Sequence, residues 1–313
     1  MNTAEEYFMA VVREKSIARA AEKLYLSQQN LSNSIKRLEQ RYGVLFWRKP
    51  HFCLTAEGEA LYRTLQQIQV LENNLSAELL EIKNEDSGKI RFGIPSTRAR
   101  VLVPRLMERF RQQFSRTQLE FTLEDTEQLE ALLLCGELDL MLGIDAEPHP
   151  ELLRSASWKE TIYLAVSKQL LKSLGIETCL WERLAELPFL LNPPVSHLRQ
   201  KIDLYFKRRF IAPRHSTVVG DFELQMILAA QGEGACFCTQ IMLPKMQDMN
   251  QTLPPDRRLI AFPIQDETIF STLAIVRHRY GADSQALKTF SRILAEEIEG
   301  MRDSSWGEGK IEK

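Results

Sequence analysis

Apolar residues in the first eighty positions recur mostly at helical spacing. Phe8, Val11 and Val12 share one face behind Thr3-Ala4-Glu5-Glu6, where Thr3 and Glu6 predict a capping box. Ile17, Ala20, Ala21 and Leu24 form the inner face of a second short helix that Ser16 would cap, and its alanines let another helix cross closely. Leu31, Ile35 and Leu38, at steps of four and three, face inward on a third helix that begins at Ser27 and ends at Gly43. Two capped helices joined only by Tyr25-Leu26 predict a helix-turn-helix. Loose alternation from Val44 to Leu54 around Pro50 predicts a small β-wing, with Arg48, Lys49 and His51 near its tip. From Thr55 onward, Leu61, Leu65, Ile68, Leu75, Leu79 and Ile82 make a heptad stripe interrupted by Glu72, which predicts a long helix paired with a second copy. Residues 84–88, Asn-Glu-Asp-Ser-Gly, predict a hinge.

The period changes at Lys89. KIRFGI, LEFTLED and LDLMLGI read as strands separated by the helical stretches VLVPRLMERFRQQF and EQLEALLLCG, which implies a largely parallel sheet. A second set follows in FLL at 189–191, SHLRQKIDLYFKRRF, STVVGD, FELQMILAAQG and ACFC. LIAFPI and TLAIVRH return the chain, and SQALKTFSRILAEEIEG closes it as a helix. Two such halves predict two lobes with a ligand cleft between them, beyond the strand ends. The expected division is a DNA-binding head at 1–58, a dimerisation helix at 59–87 and a ligand-binding region at 88–313. Within the last, lobe I spans about 88–164 and 266–313, and lobe II about 165–265.

Composition narrows the classes. Hydrophobic residues at 44% and charged residues at 26% suit a soluble folded chain, and a net charge of −2 argues against a protein that coats nucleic acid or membrane along its length. The charge is uneven. Residues 1–58 carry nine Lys and Arg against six Asp and Glu, whereas residues 59–86 carry two against six. A basic head on an acidic chain is the asymmetry of a nucleic-acid-binding module. The five cysteines, Cys53, Cys135, Cys179, Cys236 and Cys238, form neither a disulfide framework nor the paired spacing of a zinc site. An acidic start, MNTAEEYF, and the lack of an apolar run near ~18 residues predict neither a signal peptide nor a membrane span. A reduced, cytoplasmic location with no membrane partner is expected.

At about 100° per residue, the face of the third helix opposite Leu31 carries Gln29, Asn33 and Lys36, flanked by Ser32 and Arg37. Amides read base edges in a major groove and cations hold phosphates. The candidate DNA-binding set is Ser16, Arg19, Ser27, Gln28, Gln29, Asn30, Ser32, Asn33, Lys36, Arg37 and Arg48. A polar stripe alone would be a solvated face; the preceding helix, the tight turn and the basic charge favour DNA. An enzyme is the rival class, but no Walker loop, G-x-G-x-x-G, G-x-S-x-G or H-E-x-x-H occurs, and the five histidines are dispersed. Cys236 and Cys238 share one face of a strand, where buried thiols are favoured over a redox switch. A periplasmic solute-binding protein would share the two lobes, but it requires a signal peptide and lacks a basic head.

Phe8, Ser16, Ala20-Ala21, Leu24, Ser27-Gln28, Leu31-Ser32, Ile35, Leu38-Glu39, Gly43, Leu45-Phe46, Arg48, Leu54-Thr55 and Gly58 together resemble the LysR-type transcriptional regulators. Looser matches continue through Gly93, Pro104, Phe110, Gly136-Glu137-Leu138-Asp139, Leu187-Pro188-Phe189 and Gly232-Glu233-Gly234. The chain departs from the family pattern at Lys15, usually Gly, at Gln29, usually Pro, and at Thr239, commonly Pro. The resemblance implies an N-terminal all-α winged helix-turn-helix with a long linker helix. Behind it comes a C-terminal α/β bilobed effector-binding domain like the type II periplasmic binding proteins. It also implies a double-stranded DNA operator, dimers and tetramers, RNA polymerase as a further partner, and a small-molecule effector in place of any cofactor or metal.

The cleft candidates begin at Gly-Ile-Pro-Ser-Thr-Arg, residues 93–98, the turn from the first strand of lobe I into its first helix. Hydroxyls and backbone N–H groups at a helix start suit a carboxylate or other anion. By the resemblance, Ser96 and Thr97 match the loop that contacts effectors, and Thr126 matches a second polar position. Ser196, with His197 beside it, starts a helix of lobe II, Phe222 starts another, and Arg98 or Arg100 would add charge. The alternative is that the Ser and Thr residues are only helix caps.

Overall fold

The computed structural model describes residues 1–47, 51–82, 88–176, 180–281 and 283–303. Arg48, Lys49, Cys179 and hinge residues 84–87 lie outside them. Helices α1 (Thr3–Glu14), α2 (Ile17–Lys23) and α3 (Gln28–Tyr42) form the head. The capping box of α1 sits one residue earlier than the sequence suggests: Asn2, not Thr3, accepts from the backbone N–H of Ala4 and Glu5, and the Glu5 carboxylate, not that of Glu6, accepts from the Asn2 N–H at 2.9 Å. Asn is a better cap than Thr, which favours the earlier residue for the role. Ser16 and Ser27 cap their helices by accepting from Arg19 N and Asn30 N, and Gly43 stops α3 with φ 89°. Strands β1 (Phe46–Trp47) and β2 (Cys53–Leu54) pair antiparallel as the base of the wing.

Helix α4 (Ala56–Ile82) leaves the wing against Leu45, so closely that a Cβ on Gly58 would lie 1.9 Å from the Leu45 carbonyl oxygen. The heptad stripe does not project as one seam. Leu65 is buried in the head core with Phe8, Leu31 and Ile35, and Leu61 and Ile68 pack against the same cluster. Three short helices leave one side of their core open, and the first turns of α4 close it. Of its distal members, Leu75 and Leu79 stand about half exposed, as does Leu71 beside them, and the Ile82 side chain lies outside the described residues.

In chain order, lobe I is built from β3 (Lys89–Gly93), α5 (Ser96–Arg111), β4 (Gln118–Thr122), α6 (Thr126–Leu134), β5 (Leu140–Ile144) and the long β6 (Leu152–Ser167). Lobe II follows as α7 (Lys168–Ser173), β7 (Pro188–Leu191), α8 (His197–Arg208), β8 (His215–Val218), α9 (Phe222–Ala230), β9 (Ala235–Thr239), α10 (Leu243–Thr252) and β10 (Leu259–Pro263). Then β11 (Phe270–His278) and α11 (Gln285–Asp303) return to lobe I. The lobes repeat one plan. In lobe I, β3 lies between β4 and β5, all parallel, and β11 joins antiparallel. In lobe II, β7 lies between β8 and β9, all parallel, and β6 joins β9 antiparallel.

Strand β6 serves both sheets. Its first part, Leu152 to Thr161, pairs with β11, and its second, from Ile162 to Ser167, pairs with β9 and β10. It has no counterpart among the sequence-predicted strands, because Arg154, Ser155, Ser157, Lys159 and Glu160 dilute the apolar pattern of its first half. Edge-to-face contacts of Phe290 with Phe92 and Phe110, at 5.1 and 5.3 Å, centre the lobe I core. Phe189, Phe206 and Phe237 do the same for lobe II. Each of β3, β4, β7 and β8 runs into a helix at its carboxyl end, which brings the starts of α5, α6, α8 and α9 towards the crossover.

Candidate functional site

In the head, the caps and the core fix which side of α3 faces out. Leu31, Ile35 and Leu38 are buried, while Gln28, Gln29, Asn30, Asn33, Lys36 and Arg37 are exposed and Ser32 is half-buried. The Ser16 and Ser27 hydroxyls are engaged as caps, at 3.3 and 3.2 Å. Among the described residues, the side chains of Gln29, Asn33, Lys36 and Arg37 have no hydrogen bond or ion pair. Donors, acceptors and cations that bind nothing within the chain are what a helix needs to read a groove. Lys15, standing where the family usually has Gly, adopts φ 49° at the end of α1, the left-handed region that favours glycine. Tyr25, between α2 and α3, has φ 55° and is almost wholly exposed.

The cleft is arranged differently. Ser96 is exposed as the first residue of α5, whose cap position is Pro95 with no side-chain bond, and Ser196 stands at the cap of α8 with its carbonyl accepting from the Gln200 N–H but its hydroxyl bonding no helix N–H. Neither serine works as a side-chain cap, which leaves both helix starts open. His197 is exposed. Thr126 is buried, and its hydroxyl accepts from the Ile144 N–H at 2.9 Å, tying α6 to β5. Phe222 is buried in the core; the neighbouring Asp221 caps α9 through Leu224 N–H at 2.8 Å.

The cations of this region are already paired. Arg98, 7% exposed, donates from Nη2 to Glu160 Oε2 at 2.8 Å and to Thr239 Oγ1 at 3.0 Å, and from Nη1 to Thr97 Oγ1 at 3.2 Å. Glu160 Oε1 accepts from the Ile241 N–H at 3.2 Å. Thus lobe I reaches through the crossover strand to the end of β9, and Thr239, standing where the family commonly has Pro, supplies one acceptor. Arg100 reaches Asp221 at 3.1 Å and Glu223 at 3.5 Å. The Leu224 N–H, and after it Arg100, hold the Asp221 carboxyl below its usual range. Lys201 of α8 meets Asp145, just beyond β5, at 2.7 Å. Arg98, Arg100 and Lys201 therefore bind internal carboxylates in this state rather than standing ready for an acidic ligand.

Sequence reading did not find Glu160, Asp145 or Lys201. Glu160 left a trace: Trp158, Glu160, Ile162 and Leu164 alternate onto one face, all buried, and a charge on such a face demands a partner. Burial lifts the Cys236 thiol to about 12 and the Cys238 thiol well above its ordinary value, which keeps both protonated. No helix among the described residues is long and apolar enough to cross a membrane.

Comparison with known proteins places both halves. Residues 4–59 match the bacterial regulatory helix-turn-helix protein, lysR family, and residues 83–299 match the LysR substrate binding domain. A probable RuBisCO transcriptional regulator of Emiliania huxleyi is 27% identical, over 91% of this chain and 90% of its own. The crystal structure of ArgP from Mycobacterium tuberculosis superposes with a TM-score of 0.65 at 19% identity, covering 96% of this chain and 97% of that one. Full-length CbnR complexed with its target DNA gives 0.56 at 21% identity, covering 95% and 99%. These structures share the fold. The helix-turn-helix followed by its matching ligand-binding region shows that the chain belongs to the LysR family of DNA-binding transcriptional regulators.

Proposed function

We propose that the chain works as an effector-controlled dimer or tetramer of the division 1–58, 59–87 and 88–313, with α3 in the major groove. Asn33, Gln29 and Gln28 read base edges; Lys36, Arg37, Arg19 and Arg48 hold phosphates, with Ser32 and Asn30 flanking. The observation that carries this reading is the α3 face, exposed and unpaired over a fully buried Leu31 and Ile35. Paired heads require half-sites about one turn, ~34 Å, apart. The exposed Leu71, Leu75 and Leu79 supply the apolar surface for a second α4. Tetramers through the lobes, RNA polymerase as a further partner and a cytoplasmic setting belong to the same reading through the family.

The effector site is the cleft, at the open starts of α5 and α8, with Ser96, Thr97, Ser196 and His197 nearest, Thr126 and Phe222 behind them, and Arg98 anchoring the wall. Selection of duplexes from a random pool by the full chain, followed by footprinting, tests the DNA reading. A twofold sequence with half-sites one turn apart is expected; enrichment of no sequence overturns it. Leu75→Asp with Leu79→Asp is expected to leave the head folded and abolish dimers in sedimentation. A thermal-shift screen of small carboxylates, aromatics and amino acids finds the ligand class, and Thr97→Val and Ser196→Ala then weaken that ligand without altering ligand-free DNA binding.

A further inference from the structure

The loop from β5 to β6, residues 145–151, starts at the cleft end of lobe I and crosses β11 before β6 begins. Its course follows from the strand directions. Strand β11 lies between β5 and β6 and is antiparallel to both, so β6 starts at the end of the sheet away from the cleft. Val276 of β11 is level with Met141 and Arg154, three residues beyond the Leu273–Ile144 pair. At ~3.3 Å per residue, this part of the sheet lies about 10 Å from the cleft end. Here the loop and the sheet border a cavity of about 170 Å³. Ala146, Pro148, Leu152 and Val276 give it apolar walls, and Glu147 and Arg154 stand at its polar side. Val276 packs with Leu129 and Leu133 of α6, so the cavity is on the α6 side of the sheet, not on the side centred on Phe290.

Two features distinguish this cavity from a solvated dent. Its loop is held at both ends. Thr272 exchanges backbone bonds with Asp145, its N–H donating to Asp145 Oδ1 and its carbonyl accepting from the Asp145 N–H, both at 2.8 Å. Arg279 donates to the Glu151 carbonyl from its N–H at 2.7 Å and to the Pro150 carbonyl from Nε at 3.1 Å. A ligand therefore meets a formed site and pays little for ordering it. The cavity also adjoins charges that the chain leaves unsatisfied. Glu130 of α6 has Oε1 buried without a hydrogen bond among the described residues. Burial raises its carboxyl above the usual range, with Arg154 opposing the rise and the Glu147 charge adding to it. Arg154 donates to the Ala146 carbonyl. The rest of its guanidinium, and the Glu147 carboxylate, have no hydrogen bond or ion pair among the described residues. A buried acceptor without a donor is unfavourable and calls for a partner. We propose that the cavity is a second ligand site, separate from the cleft, and that it takes a single apolar α-amino acid. The ammonium supplies the donors that Glu130 Oε1 and Glu147 lack, the carboxylate takes the unengaged donors of Arg154, and an aliphatic side chain covers the apolar walls. A carboxylate alone leaves Glu130 unsatisfied and meets Glu147 with like charge; an amine alone meets Arg154 in the same way. The volume is below the ~300–1,000 Å³ of drug-sized sites, which excludes nucleotides and peptides.

Titration calorimetry of the full chain with L-leucine and L-valine tests the site. The comparison ligands are 4-methylpentanoate, which is leucine without its ammonium, and 3-methylbutylamine, which is leucine without its carboxylate. Saturable binding of leucine or valine is expected, with each comparison ligand weaker than leucine by about tenfold or more, since each lacks one set of charged hydrogen bonds. Leu152→Trp, which fills the cavity, is expected to abolish binding, and Glu130→Gln, which keeps the shape and removes the charge, to weaken it by about tenfold. Thr97→Val with Ser196→Ala, in the cleft, is expected to leave it unchanged. If Leu152→Trp fails to fold, Arg154→Met, at an exposed position, takes its place with a loss of about tenfold expected. The proposal is overturned if neither amino acid binds, if either comparison ligand binds as tightly as leucine, if binding survives the cavity variants, or if it is lost in the cleft pair. DNA enters none of these titrations and the cleft reading is not assumed, so the regulator reading stands or falls separately.

Discussion

Helix α3 and the cleft both display polar side chains near helix starts, in opposite electrostatic states. On α3 the Gln29, Asn33, Lys36 and Arg37 side chains are exposed and have no hydrogen bond or ion pair among the described residues. Around the cleft every cation named above already holds a carboxylate, with Arg98 and Glu160 both almost fully buried. A surface that meets DNA keeps its donors solvated until DNA arrives, because water and counterions are released at binding. A cleft that changes state with a ligand has to stay folded without one, so its charges are satisfied internally. Polar residues in the two places therefore predict different things when removed.

The largest expected effect lies in the cleft. Arg98→Met leaves Glu160 buried and unpaired and is expected to cost about 3–5 kcal/mol in urea unfolding of the lobes. Adding Glu160→Leu is expected to recover much of that loss, since an apolar pair replaces a buried ion pair at little cost. If Arg98→Met unfolds at the native urea midpoint, the two regions do not differ in the way described. On α3 the effect moves from stability to binding: Asn33→Ala and Gln29→Ala should leave unfolding within about 0.5 kcal/mol. Each should cost about 1–3 kcal/mol on the selected duplex and little on random DNA. Equal losses on both duplexes remove that residue from the base readers.

Lys36→Ala sharpens the contrast within the helix. Its loss is expected on selected and random DNA alike, with the slope of log affinity against log salt reduced by about one. An unchanged slope means that Lys36 touches no phosphate. Smallest is Lys15→Gly, which relieves a left-handed backbone and should raise the stability of the head by about 0.5–1 kcal/mol in thermal melting. A loss of stability there means that the Lys15 side chain makes a contact worth more than the strain.

The same contrast explains what the sequence disclosed. Ser16, Ser27 and Gly43 act within a few residues of the backbone groups they satisfy, and Leu31, Ile35 and Leu38 determine the outward face of α3 with no reference to the rest of the chain. The cleft depends on partners far along the chain: Arg98 to Glu160 spans 62 positions and Arg98 to Thr239 spans 141. No local period encodes such pairs, so Ser96 and Ser196 were found as helix starts while the ion pairs beside them were not. Helix α4 lies between these cases. Its leucines announced a stripe, but only the folded head shows that Leu65 belongs to its own core and that Gln66, Val70 and Asn73 face lobe I. The Asn2 cap was missed because Thr3 with Glu6 has the same box spacing as Asn2 with Glu5, although Asn ranks above Thr as a cap.

Strand β6 gives hydrogen bonds to one sheet up to Thr161 and to the other from Ile162. Neither lobe can be excised with its sheet whole, because any cut that frees one removes an edge from the other. The two lobes are therefore expected to melt in a single cooperative transition, although they look like two units. The head, joined to lobe I by side-chain contacts and sharing no strand with it among the described residues, is expected to melt separately. A calorimetric trace of the full chain should show two transitions rather than three, with the larger enthalpy in the one the lobes share.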